Sequence, residues 1–111
     1  MESIFNEFIT LAREIYGSHL KKMILYGSYA RGDYHEGSDI DIMLLVDLND
    51  EEIKRIGKIL SVRTYDMNYE NDVMIMPIVQ NIEFFNKWVR SYPFYNNISN
   101  EGVNLYEEQV G

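Results

Sequence analysis

Apolar residues recur in two periods along this chain. From Glu2 to Tyr16, Ile4, Phe5, Phe8, Ile9, Ala12, Ile15 and Tyr16 fall three or four apart, with Glu7, Arg13 and Glu14 between them. That spacing predicts an amphipathic helix, and Gly17 is a natural C-terminal stop. Lys22 to Tyr26 then reads as a first strand, and Ser38 to Val46 as a second, ending in the run Ile42-Met43-Leu44-Leu45-Val46. Helical spacing returns after Asn49, a capping residue followed by Asp50, Glu51 and Glu52 in the first turn. This second helix presents Ile53, Ile56, Ile59 and Leu60 on one face and continues toward Tyr65 and Tyr69, which are expected to pack against the fold.

The third strand is placed over Asn71 to Val79, where Pro77 suits a sheet edge or a strand end. Asn81 caps a helix whose Phe84, Phe85, Trp88 and Val89 are expected to be core residues. Pro93 breaks the chain, Tyr95 to Glu101 is read as one more helical turn, and Val103 to Tyr106 as a last strand. Strands alternating with helices predict an α/β (α+β) fold, a mixed β-sheet flanked by helices.

At 111 residues, 46% of them hydrophobic, the chain suits one domain (1–111) with a real core. It has no cysteine, so no disulfide framework or thiolate metal site. No apolar run has transmembrane length and no secretory signal is visible, so a cytoplasmic location without a membrane partner is expected. The net charge of -8 suits a phosphate backbone poorly, and direct nucleic-acid binding is not expected. Acidity fits a cation site, a basic protein partner or plain solubility.

The chemistry is concentrated between the first two strands. Gly27-Ser28 ends the first strand, and Ser28 is expected to cap a short helix over Tyr29 to Gly32. Backbone N–H groups at such a helix start, beside a hydroxyl, suit a phosphate, although most Gly-Ser pairs are ordinary turns. Ten residues later come Asp39 and Asp41. On a strand they share a face, where two carboxylates must either be fully hydrated or gather a cation. Asp72 opens the third strand as Asp39 opens the second, and adjacency of those strands would bring three carboxylates together. The alternative for Asp72 is a turn or cap residue. Arg31 could face phosphates, or brace the loop through Asp33 or Glu36. His19 and His35 read as turn and loop residues without a catalytic part.

Gly27, Ser28, the ten-residue gap and Asp39-x-Asp41, together with Ala30-Arg31-Gly32, Ser38 and the ending Pro93-Phe94-Tyr95-Asn96-Asn97-Ile98 and Glu101-Gly102-Val103, form one pattern. In it the chain resembles the minimal (MNT-type) nucleotidyltransferases of the DNA polymerase β-like superfamily. The resemblance covers nearly the whole chain. It implies a polymerase β-like fold in which Asp39, Asp41 and Asp72 are catalytic residues holding two Mg²⁺ ions, with Glu70 as a fallback for the third acid. Gly27, Ser28 and Arg31 would bind the phosphates of ATP.

Stand-alone members of this size resemble antitoxins of HEPN/MNT toxin–antitoxin pairs. By that resemblance the reaction is AMP transfer to a tyrosine hydroxyl of a HEPN ribonuclease toxin. Two alternatives stand beside it: a non-catalytic antitoxin that acts by occlusion, and a small-molecule nucleotidyltransferase completed by a second subunit.

Overall fold

A computed structural model describes residues 1–109. The elements are α1 (Glu2–Tyr16), β1 (Leu20–Tyr26), α2 (Ser28–Arg31), β2 (Ile40–Val46), α3 (Asp50–Asn71), β3 (Ile75–Asn81), α4 (Ile82–Trp88), α5 (Pro93–Glu101) and β4 (Val103–Glu107). One 3-10 turn, Gly17–His19, joins α1 to β1. The sheet order is β3-β2-β1-β4. β1 runs antiparallel to both β2 and β4, whereas β2 and β3 are parallel. That parallel pair needs a crossover, which α3 supplies.

The two faces of β2 are both covered. Ile40, Ile42, Leu44 and Val46 join Ile4, Phe8, Leu11 and Ala12 of α1 and Leu60 of α3 in the larger core cluster. Met43 and Leu45 point the other way, to Ile24, Phe85 of α4 and Ile98 of α5. A strand buried on both sides reads as a continuous apolar run, as β2 does. Gly102 joins α5 to β4 at a close approach: a Cβ there would collide with the Ile98 carbonyl and the Ile24 side chain.

Several expectations are corrected at the element ends. β1 begins at Leu20 and β2 at Ile40. The α2 cap position is Gly27, not Ser28, because Gly27 takes φ 75°, turns the chain there and leaves Ser28 as the first helical residue. Pro93 starts α5 instead of standing outside it, since a proline fits the first helical turn, where no N–H bond is lost. β3 spans Ile75–Asn81 because α3 runs on to Asn71 and closes through Asp72 in the left-handed region, φ 52° and ψ 47°. Asp tolerates that conformation better than most residues.

Ile59, Tyr65 and Tyr69 are exposed, not packed, because α3 buries only a narrow stripe around Leu60 and Thr64. Of the α4 aromatics, Phe85 is buried and Phe84 is 40% exposed. Phe84 instead sits in an aromatic group with Trp88, Tyr92 and Tyr95.

Pro77 lies on β3, an edge strand, as its missing N–H requires. Asn68 closes the same edge with its side-chain amide. Its Nδ2 donates to the Ile75 carbonyl at 3.1 Å, and its Oδ1 accepts from the Ile75 N–H at 2.9 Å. An edge treated this way offers little to an incoming strand.

Candidate active site

The turn after β1 and the mouth of β2 form one recess of about 400 Å³, lined by Gly27, Ser28, Arg31, Asp33, His35, Ser38, Asp39 and Asp41. The sheet register sets its floor. Asp41 pairs with Tyr26 on β1 and stands on the same strand face as the buried Met43 and Leu45. The carboxylate therefore rises from an apolar cluster.

Burial pushes the Asp41 carboxyl above the ordinary carboxylate range, the Asp39 charge adds to this, and Arg31 partly opposes it. Tyr26 is pushed up to about 12, by burial first and by Asp41 second. Among the described residues, neither Asp39 nor Asp41 accepts a side-chain hydrogen bond or pairs with a Lys or Arg. Two adjacent carboxylates without a cationic partner fit a divalent ion, which prefers hard oxygen ligands.

Gly27 is required twice over. Its φ of 75° disfavours any side chain, and a Cβ there would lie 2.5 Å from Asp41 Oδ2. The backbone and the acid are packed against each other, so the start of α2 and Asp41 share one wall. Ser28 is the first residue of α2, and its carbonyl accepts from the Gly32 and Asp33 N–H groups at 2.9 and 3.1 Å. Arg31 does brace the loop: Nε donates to Asp33 Oδ2 at 3.2 Å, and its guanidinium lies 3.6 Å from Glu101 Oε2 on α5. Those contacts, the Asp33 hydrogen bond first, hold the Arg31 guanidinium above its ordinary range. Phe94 of α5 meets Tyr26 edge-on at 5.7 Å, which ties α5 to the end of β1.

Asp72 does not join this group. It borders a separate recess with Tyr29, Glu36, Ser38, Ile40 and Met74, and only Ser38 is shared with the first. Among the described residues no three His, Asp or Glu side chains come together as a metal site. Glu70 stays on α3, an exposed residue near its end. His19 pairs with Asp47 at 2.7 Å, outside the recess, whereas His35 lines the recess with its Nδ1 2.9 Å from the Glu36 carbonyl.

Sequence reasoning missed the stack of Tyr29 on Tyr34, 4.2 Å between ring centroids, which pins the loop leading to Asp39. It also missed the return contact of that loop, in which the His35 N–H donates to Ser38 Oγ at 3.0 Å.

Residues 6–97 match the nucleotidyltransferase domain family. The chain belongs to that family. As a nucleotidyltransferase, it carries the polymerase β-like fold, a mixed four-stranded sheet between helices.

It is 40% identical over 106 residues to the Methanocaldococcus jannaschii protein named "Putative protein adenylyltransferase MJ0604", covering 95% of this chain and 97% of that one. It is 34% identical over 103 residues to "Putative protein adenylyltransferase MJ0141" of the same organism, covering 92% and 95%. In fold, this nucleotidyltransferase is similar to a chain of a toxin–antitoxin crystal structure with AMP-PNP, at TM-score 0.59 and 22% identity, covering 95% of this chain and 74% of that one. A chain of the toxin–antitoxin MntA-HepT structure gives TM-score 0.54 at 17% identity, covering 97% and 74%. No described helix is long and apolar enough to cross a membrane.

Proposed function

We propose that this enzyme transfers AMP from ATP to a tyrosine hydroxyl of a HEPN-type toxin and thereby acts as its antitoxin. The observation that carries this reading is the uncompensated pair Asp39 and Asp41 beside the Gly27-Ser28 turn. An anionic pair next to a phosphate-type turn suits the triphosphate of a nucleotide with its divalent cation. Mg²⁺ fits the hard oxygens of Asp39 and Asp41, and when bound it would neutralise charge that builds on the phosphoryl oxygens and on the leaving group.

The chain's own residues have separable parts. Gly27 keeps the Asp41 carboxylate against the backbone. Ser28 and the first N–H groups of α2 hold the outer phosphates. The acceptor oxygen then bonds to the α-phosphorus, the bond from that phosphorus to the bridging oxygen breaks, and pyrophosphate leaves. The hydroxyl proton passes to solvent.

Two lines support a protein acceptor. Curated relatives that cover nearly the whole chain are named protein adenylyltransferases, and neighbours in fold come from toxin–antitoxin complexes, one with an ATP analogue. The charge of -8 suits a basic partner surface.

The test captures the native partner on this chain and adds Mg²⁺ and ATP labelled at the α-phosphate. Label is expected on a partner tyrosine and is lost with the Asp39→Asn, Asp41→Asn double variant. A tight complex that stays unlabelled would replace this reading with neutralisation by occlusion.

A further inference from the structure

The expectation of two metal ions meets a specific obstacle in the sheet. We infer that this site takes one divalent cation with its nucleotide, not two, because the strand position beside Asp41 is Met76. The inference rests on the reading of Asp39 and Asp41 as ligands of the nucleotide's cation.

A two-ion site holds its ions about 3.5–4 Å apart, and the protein must clamp both. Each Mg²⁺ demands about six oxygen ligands in near-octahedral geometry. Asp39 and Asp41, together with phosphate oxygens, can serve one ion. A second, on the acceptor side, needs oxygen from a neighbouring element.

The register says which residues could give it. β2 and β3 are parallel neighbours, with Asp41 opposite Met76 and Ile40 opposite Ile75. Adjacent strands lie about 4.8 Å apart, and residues in register project to the same face. Met76 is thus the side chain beside Asp41. It is about half exposed, at 46%, so it is not held there by the core. On the other side of Asp41 stands Tyr26, a partly buried phenol.

A thioether is a soft, weak ligand that does not suit Mg²⁺. The nearest acid on the β3 side, Asp72, belongs to the helix end and borders the other recess. Position 76 therefore presents an apolar surface where a second ion would need an anion.

The experiment counts ions on the full chain. Mn²⁺ is titrated in the presence of saturating α,β-methylene-ATP and followed by electron paramagnetic resonance, with the Asp39→Asn, Asp41→Asn double variant setting the background for this acidic surface. Wild type is expected to hold one nucleotide-dependent Mn²⁺ per chain, and Met76→Asp to hold two. Met76→Glu repeats the test should the first variant fold poorly, and Met76→Gln is expected to stay at one.

Two ions on the wild-type chain would overturn the inference, as would one ion on both acidic variants when folded. No nucleotide-dependent ion on wild type would overturn the underlying reading of the site and the count with it, an outcome distinct from a count of two.

Discussion

Asp41 rests its carboxylate directly on the backbone of Gly27, with Oδ2 only 2.5 Å from where a Cβ at position 27 would stand. The turn that ends β1 and the acid that opens β2 are therefore one unit. Gly27→Ala must relax a left-handed residue and also displace the acid. The backbone strain costs about 1–2 kcal/mol, and the melting temperature is expected to fall by roughly 5–10 °C. Affinity for Mg²⁺-ATP should fall further than stability, because the displaced group is a proposed ligand. Thermal melts beside a nucleotide titration check this; unchanged nucleotide affinity in a folded variant would detach Gly27 from the site.

Asp41→Asn should separate stability from function. Burial first, and then Asp39, raises the Asp41 carboxyl in the folded chain. The folded chain thus binds more protons than the unfolded one between the ordinary and the raised value. Stability from this group falls as pH rises through that window and is lowest above it. Without metal, Asp41→Asn is expected to melt about 1–3 °C above wild type at pH 7. That advantage shrinks as pH drops toward the ordinary carboxylate range. Saturating Mg²⁺-ATP should reverse the order, since only wild type is stabilised by binding. Melting curves at several pH values, with and without ligand, decide it; an apo variant less stable than wild type would refute the argument from burial and like charge.

The legible parts of this fold were those written as local chemistry. Asn49 with Glu52 forms a reciprocal capping box, Asn81 caps α4 through the Phe84 N–H, and Pro77 sits on an edge strand. Gly27, Ser28, Arg31, Asp39 and Asp41 were legible together because a turn and a strand mouth a fixed distance apart must face one another across a hairpin. Asp72 was not, because its place depends on where α3 stops. Four residues of difference in the start of β3 moved it from a strand to a helix cap. Tyr29 and Tyr34 stack across a loop whose path no local rule dictates. The contacts of Asn68 and of Met76 depend on the β3 register, which pattern alone does not fix.

Asn68 replaces a missing neighbour strand for one residue. Its side chain satisfies both backbone groups of Ile75, which is itself buried in the core. Asn68→Ala leaves that N–H and carbonyl without their partner, at a cost of about 1–3 kcal/mol. The melting temperature should drop by roughly 5–15 °C. Because the edge of β3 is then open, the variant is also expected to aggregate at concentrations where wild type stays dispersed. Light scattering during a thermal ramp reads both effects. A melt within about 1 °C of wild type would show that water serves Ile75 equally well.

Arg31 tests whether a residue that braces a loop also meets the nucleotide. Its contacts with Asp33 and Glu101 are exposed, with about half of the arginine side chain in solvent. Exposed ion pairs contribute about 0–1 kcal/mol, so Arg31→Ala should leave the melting temperature nearly unchanged. The same guanidinium lines the recess of Asp39 and Asp41, however, and lowers the Asp41 carboxyl. A triphosphate entering there would meet it as the nearest positive charge. Losing that contact should weaken ATP binding by about tenfold, equivalent to about 1.4 kcal/mol, and make the affinity less sensitive to salt. Glu101→Gln should act in the opposite direction, because it frees one side of the guanidinium for phosphate. Isothermal titration of Mg²⁺-ATP at two salt concentrations reads all three proteins. Equal affinities would assign Arg31 to the loop alone, whereas a weakened Arg31→Ala together with a tightened Glu101→Gln would show that α5 tunes the phosphate grip through Glu101.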